Sequence, residues 1–270
     1  MKKLLCALVI PLLLIACATS PTGRSQLMLV SPESAIVESE KAYVATVDQL
    51  GKENKLVDDP VLADRVATIT GRLVTVAVNE FPRSADWDWS VAIIDAPDTV
   101  NAWAMAGGRM AVYTGLFEKL ELTDAEFAHI MAHEISHALA NHTAERMSRA
   151  MATTLGIVAI GAASDRPSAA MGGAALAAKL ALELPNSRTA ESEADTIGME
   201  LAVRAGYDPD AAVSLWQKMG EQGGPNPPEF LSTHPPPANR RDALASMIPT
   251  VRKLNPSGKK APVHPVTIAR

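Results

Sequence analysis

Two histidines four residues apart, His133 and His137, with Glu134 directly after the first, constrain this chain more than any other feature. Four-residue spacing puts two side chains on one face only if the segment is an α-helix, so the pattern dictates both a conformation and a shared direction. The neighbouring residues agree. Phe127, Ile130, Met131, Ile135 and Leu139 supply an apolar helical face, and Thr123 with Glu126 forms a T-x-x-E capping box. A helix is expected from Thr123 to about Met147. Two imidazoles on one face can grip a single metal ion, and Glu134 stands beside that ion, where a carboxylate can hold a water and accept its proton. Zinc suits the arrangement, because it lowers the pKa of bound water and a carboxylate then suffices as base near neutral pH. A chance HExxH is expected about 0.008 times in a chain of this composition, so coincidence explains it poorly.

Other histidines fit less well. His129 lies one turn earlier on the same stripe, but pairing it with His133 would put Ile130 in the position of the base, so it reads as a core or supporting histidine. His142 is five residues past His137, roughly 140° around the helix from it. The longer HExxHxxGxxH pattern would need Gly where Ala140 stands and His where Thr143 stands. His142 is therefore expected to cap the end of the helix. The third ligand must come from another segment. Glu191-Ser192-Glu193-Ala194-Asp195 lies on a helix expected from Ser187 to Ala205 and stopped by Gly206. Glu191 and Asp195 share a face, so one can bind the metal while the other orients a ligand imidazole. Glu193 points away and reads as a solvated charge.

The ends of the chain have a different character. Met1-Lys2-Lys3 followed by the apolar run Leu4 to Ile15, ending Leu14-Ile15-Ala16-Cys17, looks like a lipoprotein signal with a lipobox. The expected division is a signal peptide over 1–16, a polar membrane tether over 17–31, a catalytic domain over 32–250 and a loosely ordered Pro- and Lys-rich tail over 251–270. Lipidated Cys17, followed by Ala18 and not Asp, would anchor the protein in the cell envelope, at the outer membrane facing the periplasm. Cleavage removes Cys6, Lys2 and Lys3, taking the formal charge from −5 to −7 and leaving one cysteine. An intrachain disulfide and thiolate metal ligands are then excluded. The negative charge also argues against nucleic acid as a partner.

Between these ends the chain reads as α+β and mainly helical. Helices are expected after Ser31-Pro32, over Leu62 to Val78, after Asp208-Pro209 and over Arg241 to Met247. Trp87 to Asp95, Asn101 to Met105 and Arg109 to Tyr113 read as strands of a small, mostly antiparallel sheet beside the HExxH helix. Ala150 to Ser164 and Ser168 to Leu184 read as a hairpin of small residues, either core packing or a mobile lid over the site. Neither arm is long or clean enough to span a bilayer.

Taken together, His133-Glu134-Ile135-Ser136-His137, Ser187 to Asp195, Ala205-Gly206-Tyr207-Asp208-Pro209, Ser232-Thr233-His234-Pro235 and Arg240 resemble the Ste24/HtpX-type peptidase family, M48. The similarity runs from about Pro60 to Ala245 and is greatest to members without transmembrane helices. The segment from Asn101 to Leu116 also resembles the family's strand before the zinc helix. The resemblance implies a zincin-like metalloendopeptidase with one Zn2+ per chain, held by His133, His137 and Glu191, with Glu134 as base. It makes Asp195 a catalytic residue, described in the family as a proton donor, although its place one turn from Glu191 suits an orienter of a zinc-bound histidine. It puts His234 near the metal, to stabilise an oxyanion or to occupy a resting ligand position. Arg240 would anchor a carboxylate or a backbone carbonyl. Asn186 departs from the family, where an aromatic is common. Substrates would be polypeptides, bound extended against a sheet edge, for which Arg109 to Tyr113 is the candidate and Gly107-Gly108 allow close approach. The implied role is cleavage of misfolded or misassembled envelope proteins. The competing readings are a chaperone or assembly factor for outer-membrane proteins, and a lipoprotein that merely binds zinc. Glu134 speaks against the last, since pure binding has no use for a base.

Overall fold

Helices in the computed structural model begin where the sequence offers caps. The structure describes residues 17–163, 187–222, 228–235 and 239–270. Along the chain, β1 (Cys17–Thr19) and β2 (Ser25–Leu27) precede α1 (Pro32–Lys52) and α2 (Pro60–Glu80). Then come β3 (Ser90–Ile94), β4 (Ala102–Met105), β5 (Arg109–Tyr113), α3 (Gly115–Leu120), α4 (Asp124–Leu139) and α5 (His142–Ala163). The remaining elements are α6 (Arg188–Arg204), α7 (Asp210–Glu221), α8 (Glu229–Thr233), α9 (Arg240–Val251) and β6 (Thr267–Ala269). Ser31, Asp59 and Ser187 each accept a backbone N–H at a helix start, and Thr123 and Glu126 form the capping box reciprocally. The chain is α+β and mainly helical.

The helix expected over 123–147 is two helices. α4 ends at Leu139, and Asn141 adopts a left-handed conformation at φ 56°, which the short polar side chain of Asn tolerates. Arg83 donates to the Leu139 carbonyl, so a cation satisfies the C-terminus of α4. His142 is consequently the first residue of α5. α5 also takes in the stretch from Ala150, the first arm of the expected hairpin. The second arm, Ser168 to Leu184, lies outside the described residues, as do the signal segment 1–16 and Asn186. Among the described residues no helix is long and apolar enough to cross a membrane.

The chain divides into two units, residues 1–35 with 141–184, and residues 36–140 with 185–270. In the first unit, β1 and β2 pair antiparallel around Gly23 at φ 88°. Within residues 17–31, read from the sequence as a membrane tether, several polar groups bond α5. Arg24 grips buried Glu145 with two bonds of 2.9 and 2.7 Å, Gln26 adds a third at 3.0 Å, and the Val30 N–H donates to Ser148. Polar residues that suggest solvent exposure here form a bidentate ion pair.

In the second unit the sheet order is β4-β5-β3-β6. Only β4 and β5 are antiparallel; β3 runs parallel to both β5 and β6. The sheet is thus mixed, not mostly antiparallel. β3 is buried at all five positions, and such an uninterrupted run belongs to an interior strand with parallel neighbours. β5 is interior too. Among the described residues the sheet edge beside α4 therefore belongs to β4, and not to Arg109–Tyr113 as the sequence suggested. The tail also departs from expectation. It is held by its backbone, with Ala261 N–H on Ala205 O, His264 N–H on Gly71 O and Thr267 N–H on Trp89 O, before β6 joins β3. Composition could not reveal this, because main-chain groups make the bonds. α4 is buried from Glu126 to Leu139, packed against α2, α6, α7 and β4.

Candidate metal centre

α4 presents His133 and His137 to α6, and the helices meet closely because Gly198 faces α4 without a side chain. A Cβ there would stand 2.9 Å from the His133 backbone nitrogen. The two imidazoles converge, with Nε2 atoms 3.1 Å apart. Glu191 of α6, with no exposed surface, brings Oε2 to 3.2 Å from His133 Nε2 and Oε1 to 3.4 Å from His137 Nε2. Asp195, one turn on, sets Oδ1 3.0 Å from His133 Nδ1. A proton on Nδ1 facing Asp195 would leave the Nε2 lone pair toward the centre, the tautomer a metal ligand requires.

The loop after α8 supplies His234. Its Nδ1 lies 3.1 Å from Glu191 Oε1 and its Nε2 3.5 Å from Glu134 Oε1. The ring stacks on Phe230, with centroids 4.5 Å apart. Arg240 bonds both carboxylates of α6, and Trp216 covers its guanidinium. The structure therefore brings together all six residues singled out from the sequence as catalytic or metal-binding, and Arg240 with them. Trp216 and Phe230 were not singled out, because an aromatic at helical spacing signals only a core position.

Electrostatics follow from burial and these contacts. Burial alone would push His133 down, but the neighbouring carboxylates of Asp195 and Glu191 outweigh it and raise the ring to about 9. Burial alone would raise Glu191, but the hydrogen bonds to His133 and His234 and the charge of His133 hold it far below the usual carboxylate range. Glu134 moves the other way, raised chiefly by burial. Its Oε1 is buried with no hydrogen-bond partner among the described residues.

The donor set fits a metal ion. Ligand atoms of His133, His137, Glu191 and His234 all lie within 4.8 Å of one another, and all four residues are buried. The separations of 3.1, 3.2 and 3.4 Å match the about 3.3 Å between donors that each sit ~2.0–2.1 Å from one tetrahedral zinc. Two sequence readings change or gain detail. Glu193 is buried and not a solvated charge, because α6 is covered on more than one side. His129 is buried outside the converging group: its Nε2 bonds the Asp208 carbonyl at 2.9 Å, and burial lowers it to about 4. His142 is not in the converging group.

A model described as peptidase family M48 matches residues 61–248. The chain is 33% identical over 245 residues to a Bos taurus protein named metalloendopeptidase OMA1, mitochondrial, across 86% of this chain and 46% of that protein. It is 31% identical over 203 residues to the beta-barrel assembly-enhancing protease of Escherichia coli (strain K12), across 72% of this chain and 40% of that protein. It is 29% identical over 176 residues to the mitochondrial metalloendopeptidase OMA1 of Saccharomyces cerevisiae, across 62% and 49%. The chain spans less than half the length of each of these relatives.

Proposed function

The chain belongs to peptidase family M48, and from that premise we propose that it is a zinc-dependent endopeptidase acting on polypeptides of the bacterial cell envelope. The observation that carries this reading is the buried convergence of His133, His137 and Glu191 with Glu134 alongside. His133, His137 and Glu191 would hold the ion, and His234 would complete the resting set. Bound zinc supplies Lewis acidity, polarising a peptide carbonyl and lowering the pKa of water.

The chain's own residues do the rest. Glu134, beside the proposed ligands and raised by burial, would take a proton from water and return it to the leaving amine. Asp195 holds His133 in orientation and tautomer. The open edge of β4 accepts an extended peptide as an added strand. The Ala104 N–H on that strand hydrogen-bonds the Glu134 carboxylate, so the edge and the base adjoin.

Envelope location rests on the Leu14-Ile15-Ala16-Cys17 run and on similarity to a relative named for beta-barrel assembly. That name also favours a second reading, in which the chain assists assembly and cleaves secondarily. Digestion of an unfolded polypeptide by the purified chain tests the first. Cleavage should stop with chelator and return with zinc. Glu134→Gln should keep its zinc while cleavage falls about 10²–10⁴-fold, since the amide cannot take the proton. Chelator-resistant cleavage, or undiminished cleavage by Glu134→Gln, would sink the mechanism. An uncleaving Glu134→Gln that still supports barrel assembly in cells would favour the second reading. Cys17→Ser should move the protein out of the membrane fraction; an unchanged fraction after correct processing would put the anchor elsewhere.

A further inference from the structure

The centre holds three buried or nearly buried carboxylates, Glu134, Glu191 and Asp195, and a single permanent cation, Arg240. Arg240 is the first residue of α9, and only 3% of its side chain is exposed. Nε donates to Asp195 Oδ2 at 2.6 Å, and Nη2 donates to Glu191 Oε2 at 2.7 Å. The face of the guanidinium lies on Trp216, with Cζ 4.0 Å from the ring centroid. One planar group thus spans the proposed ligand on α6 and the carboxylate that orients His133.

We propose that Arg240 is a positioning residue that acts as the internal counter-cation of the centre, holding Glu191 and Asp195 of α6 in their places when no metal is bound. The inference rests on the metal reading above. Glu191 and Asp195 are one helical turn apart, and like charges at that spacing repel, more strongly in a buried site than in water. A rigid fork bonded to both offsets the repulsion and fixes their separation, which a lysine's single ammonium does less well. With neutral histidines and a divalent ion bound, three carboxylates and one arginine sum to zero charge. Without the ion, Arg240 is the only fixed positive charge among the described residues of the centre. Its role therefore differs between the two forms: essential to the metal-free centre, partly redundant with the ion in the loaded one.

The difference gives a readout that simple packing would not move. Melting temperature is measured for the full chain, zinc-loaded and chelator-treated, in wild type, Arg240→Met, Arg240→Lys and Trp216→Leu. Arg240→Met should lower the metal-free form far more than the loaded form, widening the gap between them by about 10 °C, the scale of a broken buried ion pair in a chain of this size. Arg240→Lys keeps the charge and should hold the gap within a few degrees of wild type. Trp216→Leu removes packing but no charge and should lower both forms alike. Equal lowering of both forms by Arg240→Met, or a gap in Arg240→Lys as wide as in Arg240→Met, overturns the inference while leaving the metal reading intact. A wild type whose melting does not respond to zinc sinks the metal reading, and the inference with it.

Discussion

Glu191 joins all three histidines of the centre to its arginine. It faces His133, His137 and His234 through its two oxygens and accepts from Arg240, with none of its surface exposed. A carboxylate so surrounded stays ionised, as a metal ligand must. Glu191→Ala is expected to lose zinc and cleavage together, since it removes one donor and leaves Arg240 without one of its partners. Asp195→Asn should keep more metal, because it removes no donor and disturbs only the contacts that set the His133 ring and Arg240, a change that costs about 10–100-fold in affinity. His142→Ala should bind zinc like wild type. Metal analysis of the three purified variants decides. Full occupancy in Glu191→Ala with loss in His142→Ala would move the site elsewhere.

At the scale of elements, the function depends on α4 and α6 lying close enough for side chains on both to converge. The packing of Gly198 onto the backbone at Ala132 and His133 makes that possible. Gly198→Ala should cost about 1–3 kcal/mol through overpacking and weaken zinc binding in the same variant, as α6 is pushed from α4. Gly220→Ala, in α7 with open space at its Cβ, should be neutral or slightly stabilising. Denaturation with metal titration of both would show it, and a Gly198→Ala protein with wild-type zinc affinity would refute the close-approach argument. The same contrast explains what was legible in the sequence. α4 could be read because its cap, its apolar period and its histidine spacing are local. The approach of α6 could not, since a glycine in a helix reads as a weak point until its neighbour is known. Glu193 was misread because helical period gives a direction and not what covers it. The β4 edge was missed because β3 pairs parallel with β5 and not with β4, a choice of neighbour that the local pattern of each strand does not reveal.

That tail matters at the scale of the whole molecule. It lies beyond residues 61–248, the span matched by the family, yet it crosses α2 at Gly71, where a Cβ would stand 2.4 Å from the His264 carbonyl. Thr75 Oγ1 donates to the Pro262 carbonyl at 2.8 Å, Val266 and Ile268 pack against the core, and β6 covers β3 on the side away from β4. A chain ending at Ala261 should therefore lose stability without losing the chemistry. Each lost hydrogen bond is worth about 1 kcal/mol and each half-buried aliphatic side chain about as much, so a loss of about 5 kcal/mol is expected. Removing β6 also turns β3 into an edge of apolar residues, which favours pairing with other chains. Zinc content and cleavage per bound zinc should stay near wild type below the melting transition, because the β4 edge and the centre are untouched. Urea unfolding and light scattering of the truncated and full chains measure the two effects. An unchanged unfolding midpoint would mean that the strap merely lies on the core, and loss of zinc in the folded truncated chain would mean that it also sets the position of the centre through α2, which packs on α4.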